Sequence, residues 1–299
     1  MVAHDIPLRM VDEAPSRPKA FVRALPGMLR RRPFLVIAAL VSAAFLFAAI
    51  FAPWVAPYDP AYQDSDHLMS PPSLLHWCGT DSFGQDLLSR VIYGTRYVFL
   101  IGFLSVALGA AGGLAIGLAA GLLKGPVEWG LMRFVDAILA LPSLIMAITF
   151  ISILGPGVDN VIYAVGFALV GPFARTVRAD VLQVRTQAFV EAAGLMGVRR
   201  LRIVWRHILP NVIFPLAVQA TVRISEAILV SSGLSFLGLG VVPPAPDWGL
   251  MIAEGRAFIS IVPWISGVPG AALALLLIAL SIVGDGVRER FDPKLRTNR

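Results

Sequence analysis

Residues 186–210, TQAFVEAAGLMGVRRLRIVWRHILP, decide how this chain is read. The stretch is rich in polar residues, lies between two long apolar runs and is too long for a simple turn. Residues 187–196 favour helix, because Phe189, Ala192, Ala193 and Met196 recur at three- and four-residue steps on one side. Gly197 interrupts the pattern. A second helical stretch, 198–206, interleaves Arg199, Arg200, Arg202 and Arg206 with Val198, Leu201, Ile203, Val204 and Trp205, and Pro210 opens the next apolar run. The expectation is two short helices at an angle, joined by glycine, forming a compact knob that stands proud of a membrane. Its small Ala192-Ala193-Gly194 face suits close insertion into a groove on another protein.

That a membrane is involved follows from composition. Of the 299 residues, 57% are hydrophobic and only 15% are charged, and the mean hydropathy is +0.76. A soluble chain carries about 25% charged residues, so much of this apolar surface must face lipid. A bilayer core of about 30 Å takes about 20 helical residues, which predicts about six spans, near 34–53, 97–123, 131–154, 158–180, 210–239 and 264–286. The fold class expected is all-α and polytopic. Pro142 and Pro172 interrupt the third and fourth spans, but proline is tolerated where neighbouring groups satisfy the freed carbonyls, so both are kept.

Orientation comes from the basic residues. Arg9, Arg17, Lys19, Arg23 and Arg30 to Arg32 precede the first span, the 186–210 loop is arginine-rich, and Arg288, Arg290, Lys294, Arg296 and Arg299 follow the last. Segments 54–89 and 155–160 have no Lys or Arg, and 240–263 has Arg256 alone. Both termini are therefore expected in the cytoplasm, with residues 1–33 as an N-terminal tail, 54–96 as an external loop and 287–299 as a C-terminal tail. The net charge of +6 reflects this topology, and no nucleic-acid partner is read from it. Arg31-Arg32-Pro33-Phe34-Leu35 has the look of a twin-arginine export signal, but five further spans follow, so a retained first helix is expected. Cys78 is the lone cysteine, which excludes an intrachain disulfide and a cysteine-based zinc site; it reads as a small packing residue.

Inside the spans, Gly109, Gly113, Gly117 and Gly121 form a strip along one helix face, a device for close backbone approach between helices in lipid. Arg223 and Glu226, three apart in the fifth span, can pair on one face. A lone charge at mid-bilayer costs about 2.5–3.5 kcal/mol, so the pair either lines a polar path or locks the helix to a neighbour; both readings stay open. Arg133 and Asp136 read as an interfacial pair. In the first external loop Asp59, Asp64, Asp66, His67 and His76 are metal-compatible types, but they lack tight ligand spacing and are read as solvated surface, with no metal. There is no HExxH, no Ser-His-Asp order and no GxxxxGK[ST], so catalysis and unaided ATP hydrolysis are not expected.

The order Glu191-Ala192-Ala193, three residues, Gly197, nine residues and His207-Ile208-Leu209-Pro210 resembles the EAA loop of permease subunits of ABC importers. The general pattern has isoleucine at the place of His207, and the His-Ile-Leu-Pro-Asn form ending at Asn211 is that of the dipeptide, oligopeptide and nickel branch. Three further motifs are similar to that branch: 79–86 (GTDSFGQD) with Ser89, Arg90, Tyr93 and Gly94; 235–240 (SFLGLG) with Pro243-Pro244 and Trp248-Gly249; and 284–288 (GDGVR) with Asp292-Pro293. The branch usually has arginine where Gln85 stands. Together these motifs cover roughly 70–295.

The resemblance implies a type I importer permease fold with a transmembrane core over 97–286, in the cytoplasmic (inner) membrane of a bacterium. Its implied partners are a second homologous permease subunit, two ATP-binding subunits that hold ATP and Mg, and an extracytoplasmic solute-binding protein. The chain itself is implied to be non-catalytic and without bound cofactors. Its substrates would be di- and oligopeptides, with nickel chelates or glutathione as alternatives. In the loop, Phe189, Ala192 and Ala193 would pack on the ATPase, Glu191 would orient the knob by hydrogen bonding, and Gly197 would permit the turn. His207, Leu209 and Pro210 would complete the motif, with Pro210 ending the loop at the entry to the fifth span.

Overall fold

The computed structural model describes residues 33–291; residues 1–32 and 292–299, Asp292-Pro293 among them, lie outside the described residues, while 287–291, expected as tail, continue the last helix. Among the described residues the regular structure is helical, with one isolated bridge between Thr80 and Asp86. The helices are α1 (Pro33–Val55), α2 (Leu87–Leu122), α3 (Pro126–Leu139), α4 (Ser143–Leu154), α5 (Val158–Val184), α6 (Ala188–Leu195), α7 (Arg200–Ile203), α8 (Leu209–Phe236), α9 (Trp248–Gly255) and α10 (Trp264–Phe291). Five helical stretches are long and apolar enough to cross a membrane, or six if the bent pair α3–α4 counts as one span.

The third span departs from expectation. Rather than one interrupted helix over 131–154, α3 and α4 meet at 94°. Pro142 has no N–H for the preceding turn and pushes Leu141 out of the helical region. Pro172, by contrast, sits inside an unbroken α5, where the Thr176 hydroxyl donates to the Pro172 carbonyl at 3.2 Å.

The glycine strip explains the centre of the molecule. Helices α2 and α5 share the most extensive helix–helix contact, and the strip's partner face is α5. A Cβ at Gly109 would lie 2.7 Å from the Leu169 Cβ, and one at Gly117 would lie 2.6 Å from the Val177 Cβ. Such distances leave no room for a methyl group, so the two backbones approach where lipid supplies no hydrophobic drive. Phe173, Val177 and Val181 of α5 are fully buried at this seam.

The second span begins earlier than hydropathy suggests. With 36 residues, α2 is about 54 Å long at 1.5 Å per residue, well beyond a bilayer core of about 30 Å. Its first turns belong to a cap built from residues 56–86 and 237–263 at one end of the bundle. The Asp86 carboxylate caps the helix, accepting from the Ser89 N–H at 2.8 Å and the Ser89 hydroxyl at 2.7 Å. Trp248, fully buried, donates its indole N–H to the Val91 carbonyl at 3.0 Å and lies against Gly94. A second core of Leu87, Val91, Trp248, Met251 and Ile265 fills the space beneath.

Of the loop residues expected as solvated surface, Asp59 and Asp66 are exposed, Asp64 and His67 are half-buried, and His76 alone is buried. His76, Asp81, Asp86 and Arg90 are each about nine-tenths or more buried. Asp81 accepts from the Phe83 and Gln85 N–H groups at 2.9 Å and forms a close ion pair with Arg90, which also meets Glu254 at 3.4 Å. Glycines at 79 and 84, both in the left-handed region, let the chain fold back on itself. A loop read as hydrophilic is therefore a hydrogen-bonded platform over the helix ends. Cys78 sits half-buried against the second core, and burial pushes its thiol up.

Candidate functional site

The knob predicted at 186–210 forms, and its local chemistry accounts for its shape. Helix α6 ends in a Schellman turn: the Gly197 N–H bonds the Gly194 carbonyl at 3.1 Å and the Val198 N–H bonds the Ala193 carbonyl at 3.2 Å. That closure needs a left-handed residue, and Gly197 supplies it at φ +74°. Val190 and Ala193 face inward and join the main core through Ile203, Ile208 and Val212. The outer face is Ala192, Leu195 and Met196, with Leu195 86% exposed.

Three placements correct the expectation. Ala193 is buried within the chain, so it anchors the knob rather than meeting a partner; Phe189 and Ala192 remain on the surface, Phe189 beside the His207 ring at 6.0 Å. Glu191 is exposed and makes no side-chain hydrogen bond among the described residues, so it does not orient the knob from within. Pro210 does not mark a boundary. From Arg200 the chain runs as one helical stretch to Phe236 through a π turn at Val204–Ile208. The wider turn absorbs the N–H that Pro210 lacks: the Leu209 N–H reaches the Val204 carbonyl, and Asn211 Nδ2 donates to the His207 carbonyl at 2.6 Å. The second half of the loop is thus a rigid extension of α8. Its outer side carries exposed Leu201 and Trp205 among Arg199, Arg200, Arg202 and Arg206.

Within the membrane-spanning part, Arg223 and Glu226 form a close ion pair on α8, each about 30% exposed. Both carboxylate and guanidinium face two cavities. One, of about 400 Å³, is bounded by Ile138, Pro172 and Arg175; the other, of about 1020 Å³, lies between α5, α8 and α10 and is lined by Thr176, Asp180, Gln219, Ser281 and Arg288. The Gln219 Oε1 and Ser225 Oγ atoms along this groove are buried without a hydrogen-bond partner among the described residues. Arg133 and Asp136 do not pair. Asp136 bonds Arg175 of α5 at 2.7 Å, whereas Arg133 lies over the Trp129 ring at 5.3 Å. Residues three apart on α3 lost here to a partner on the helix packed alongside, and Glu128 likewise takes Arg178 of α5 at 3.0 Å.

A bundle with a close-packed glycine seam, a polar groove and an outward helical knob defines a membrane permease of the ABC-importer class, and comparison agrees. The chain belongs to the family described as binding-protein-dependent transport system inner membrane component, whose sequence profile matches residues 113–297. Residues 27–72 match the N-terminal TM domain of oligopeptide transport permease C.

Among individual relatives, the chain is 43% identical over 257 residues to the di/tripeptide transport system permease protein DppC of Pseudomonas aeruginosa, covering 84% of this chain and 85% of that one. It is 41% identical over 268 residues to the glutathione transport system permease protein GsiD of Escherichia coli, covering 89% and 88%. Among solved structures, the MetNI methionine ABC transporter in an inward-facing conformation matches with a TM-score of 0.56 at 20% identity, over 69% of this chain and 98% of that chain. The chain is thus a multi-pass inner-membrane permease, a component that acts with ATP-binding subunits and a binding protein.

Proposed function

We propose that this chain forms one half of the translocation pathway of an ATP-driven importer for di- and oligopeptides, paired with a second homologous permease and two ATP-binding subunits. The chain is non-catalytic in this reading, ATP and Mg being held by the partners. Its termini and the 186–210 knob face the cytoplasm, a reading supported by the arginine distribution, and a solute-binding protein delivers substrate to the external cap.

The observation that carries the proposal is the knob itself. An apolar patch of Phe189, Leu195, Met196, Leu201 and Trp205 stands exposed on a glycine-closed, arginine-rich turn, which is what a surface covered by another subunit looks like. Closure of the ATPases displaces the knob. Because α7, the π turn and α8 are continuous, the displacement reaches Arg223 and Glu226 as a movement of one rigid body, and the groove opens to alternate sides. Glutathione, itself a tripeptide, is the second reading, supported by the relative at 41% identity.

The test replaces Gly194 by Trp. A Cβ at Gly194 meets nothing within 4 Å, so the bulky side chain fits the free chain and obstructs only a docked partner. Co-purification should lose the ATP-binding subunits and peptide uptake should fall to background, with the thermal midpoint unchanged. A Gly194→Trp chain that still brings down the ATPases removes the docking surface from this face.

A further inference from the structure

The cap over the head of α2 holds a second cluster, of Asp64, His67 and His76. His76 is 2% exposed, yet its Nε2 has no hydrogen-bond partner among the described residues. The other ring nitrogen, Nδ1, is held by the Asp86 carboxylate at 3.0 Å. The unpartnered nitrogen points toward Asp64 Oδ2 at 3.7 Å, and His67 Nδ1 lies 2.9 Å from that same oxygen. One donor atom from each of Asp64, His67 and His76 falls within 4.8 Å of the others.

We infer that Asp64, His67 and His76 bind a divalent transition-metal ion of the zinc class. Two imidazoles and a carboxylate are the donor set that borderline divalent ions prefer, whereas hard ions such as Mg take oxygen ligands. At zinc–ligand distances of about 2.0–2.2 Å, tetrahedral donors stand about 3.4 Å apart, which the spacings of 2.9 and 3.7 Å bracket. The supporting shell is in place. Asp86 orients His76 as a carboxylate orients a metal-bound imidazole, and the same Asp86 caps α2 through the Ser89 N–H.

The loop carrying the ligands is braced: the Asp64 N–H bonds the Gly84 carbonyl at 3.1 Å, and the Thr80 hydroxyl donates to the His67 carbonyl at 2.5 Å. His67, 45% exposed, stands on the outer side, where water completes the fourth position. The ion clamps residues 64–76 to the head of α2, rigidifying the face that looks away from the ATP-binding subunits.

The experiment uses the full chain in its co-purified complex, carried on a tag without histidine, stripped with chelator and titrated with Zn2+ against a chromophoric competitor. One ion per chain is expected, undisturbed by excess Mg2+. His67→Ala leaves the His76–Asp86 bond intact and should abolish binding. Asp86→Asn keeps the helix cap and should weaken binding by about 10- to 100-fold. Thermal midpoints in the absence of zinc confirm that both variants are folded. A wild-type complex that takes up no zinc, or zinc uptake unchanged in both variants, overturns the site and leaves a hydrogen-bonded cluster only.

Discussion

Arg90 shows what a single side chain contributes here. It is 2% exposed and held by Asp81, itself 3% exposed, and by Glu254. Burial raises the Glu254 carboxyl, and Arg90 is the charge that opposes that rise. Removing one partner of a buried pair strands the other, at about 3–5 kcal/mol. Arg90→Ala should therefore lower the thermal midpoint of the detergent-solubilised chain sharply; a wild-type midpoint would mean the pair carries no stability. Asp247, buried at the N-terminus of α9, is shifted the same way: burial raises its carboxyl while the Leu250 N–H bond opposes. A raised carboxyl lends its stability in the protonated form, full below the ordinary carboxylate range and lost as pH rises through the raised value. Asp247→Asn keeps the cap without the charge, so its unfolding midpoint should vary less with pH than the wild type between acid and neutral conditions. At Gly197 the requirement is conformational, since a Cβ there meets nothing within 4 Å. Gly197→Ala should cost about 1–2 kcal/mol of loop stability and reduce uptake only in part, in contrast to the docking block at Gly194.

Among the elements, α2 and α8 carry the mechanical argument. The α2–α5 seam tolerates no side chain at its glycines: at Gly113 an added Cβ would run into Phe173 and reach the Ala174 nitrogen at 2.9 Å. Gly113→Leu should prevent the two helices from packing, and the chain should fail to accumulate in membranes; normal expression with normal uptake would show the seam to be dispensable. The four-residue spacing of those glycines was legible from the sequence, because small residues along one helix face are a local pattern. The continuity from α7 into α8 was not. Pro210 reads locally as a helix start, and only the π turn, with Asn211 capping the His207 carbonyl, reveals that the helix passes through. The 94° break at 140–142 was also hidden, since a proline inside an apolar run leaves both a kink and a corner open.

On the scale of the whole molecule, the groove between α5, α8 and α10 collects polar groups from distant parts of the chain. The Arg223–Glu226 pair closes on one helix and faces both cavities, with no ion pair to another helix among the described residues. Replacing both by Leu removes the charges without stranding either. Uptake should be lost while the complex still assembles, as judged by co-purification and peptide transport into vesicles; retained uptake would exclude the pair from the pathway.

The sequence by itself determined the solvent, the approximate spans, the orientation expected from arginine, and the knob with its glycine hinge. Each of these is written in contiguous residues, as apolar length, charge at span ends, or a glycine followed by helix formers. Tertiary structure alone decided which residues meet across the chain. Asp136 pairs with Arg175 rather than Arg133, Ala193 turns inward, and His76 is buried beside Asp64 and Asp86. The physical reason is that lipid and core both exclude water. A polar group placed there must find its partner on whatever element packs against it, and that choice is made by helix packing and loop closure, which local spacing does not encode.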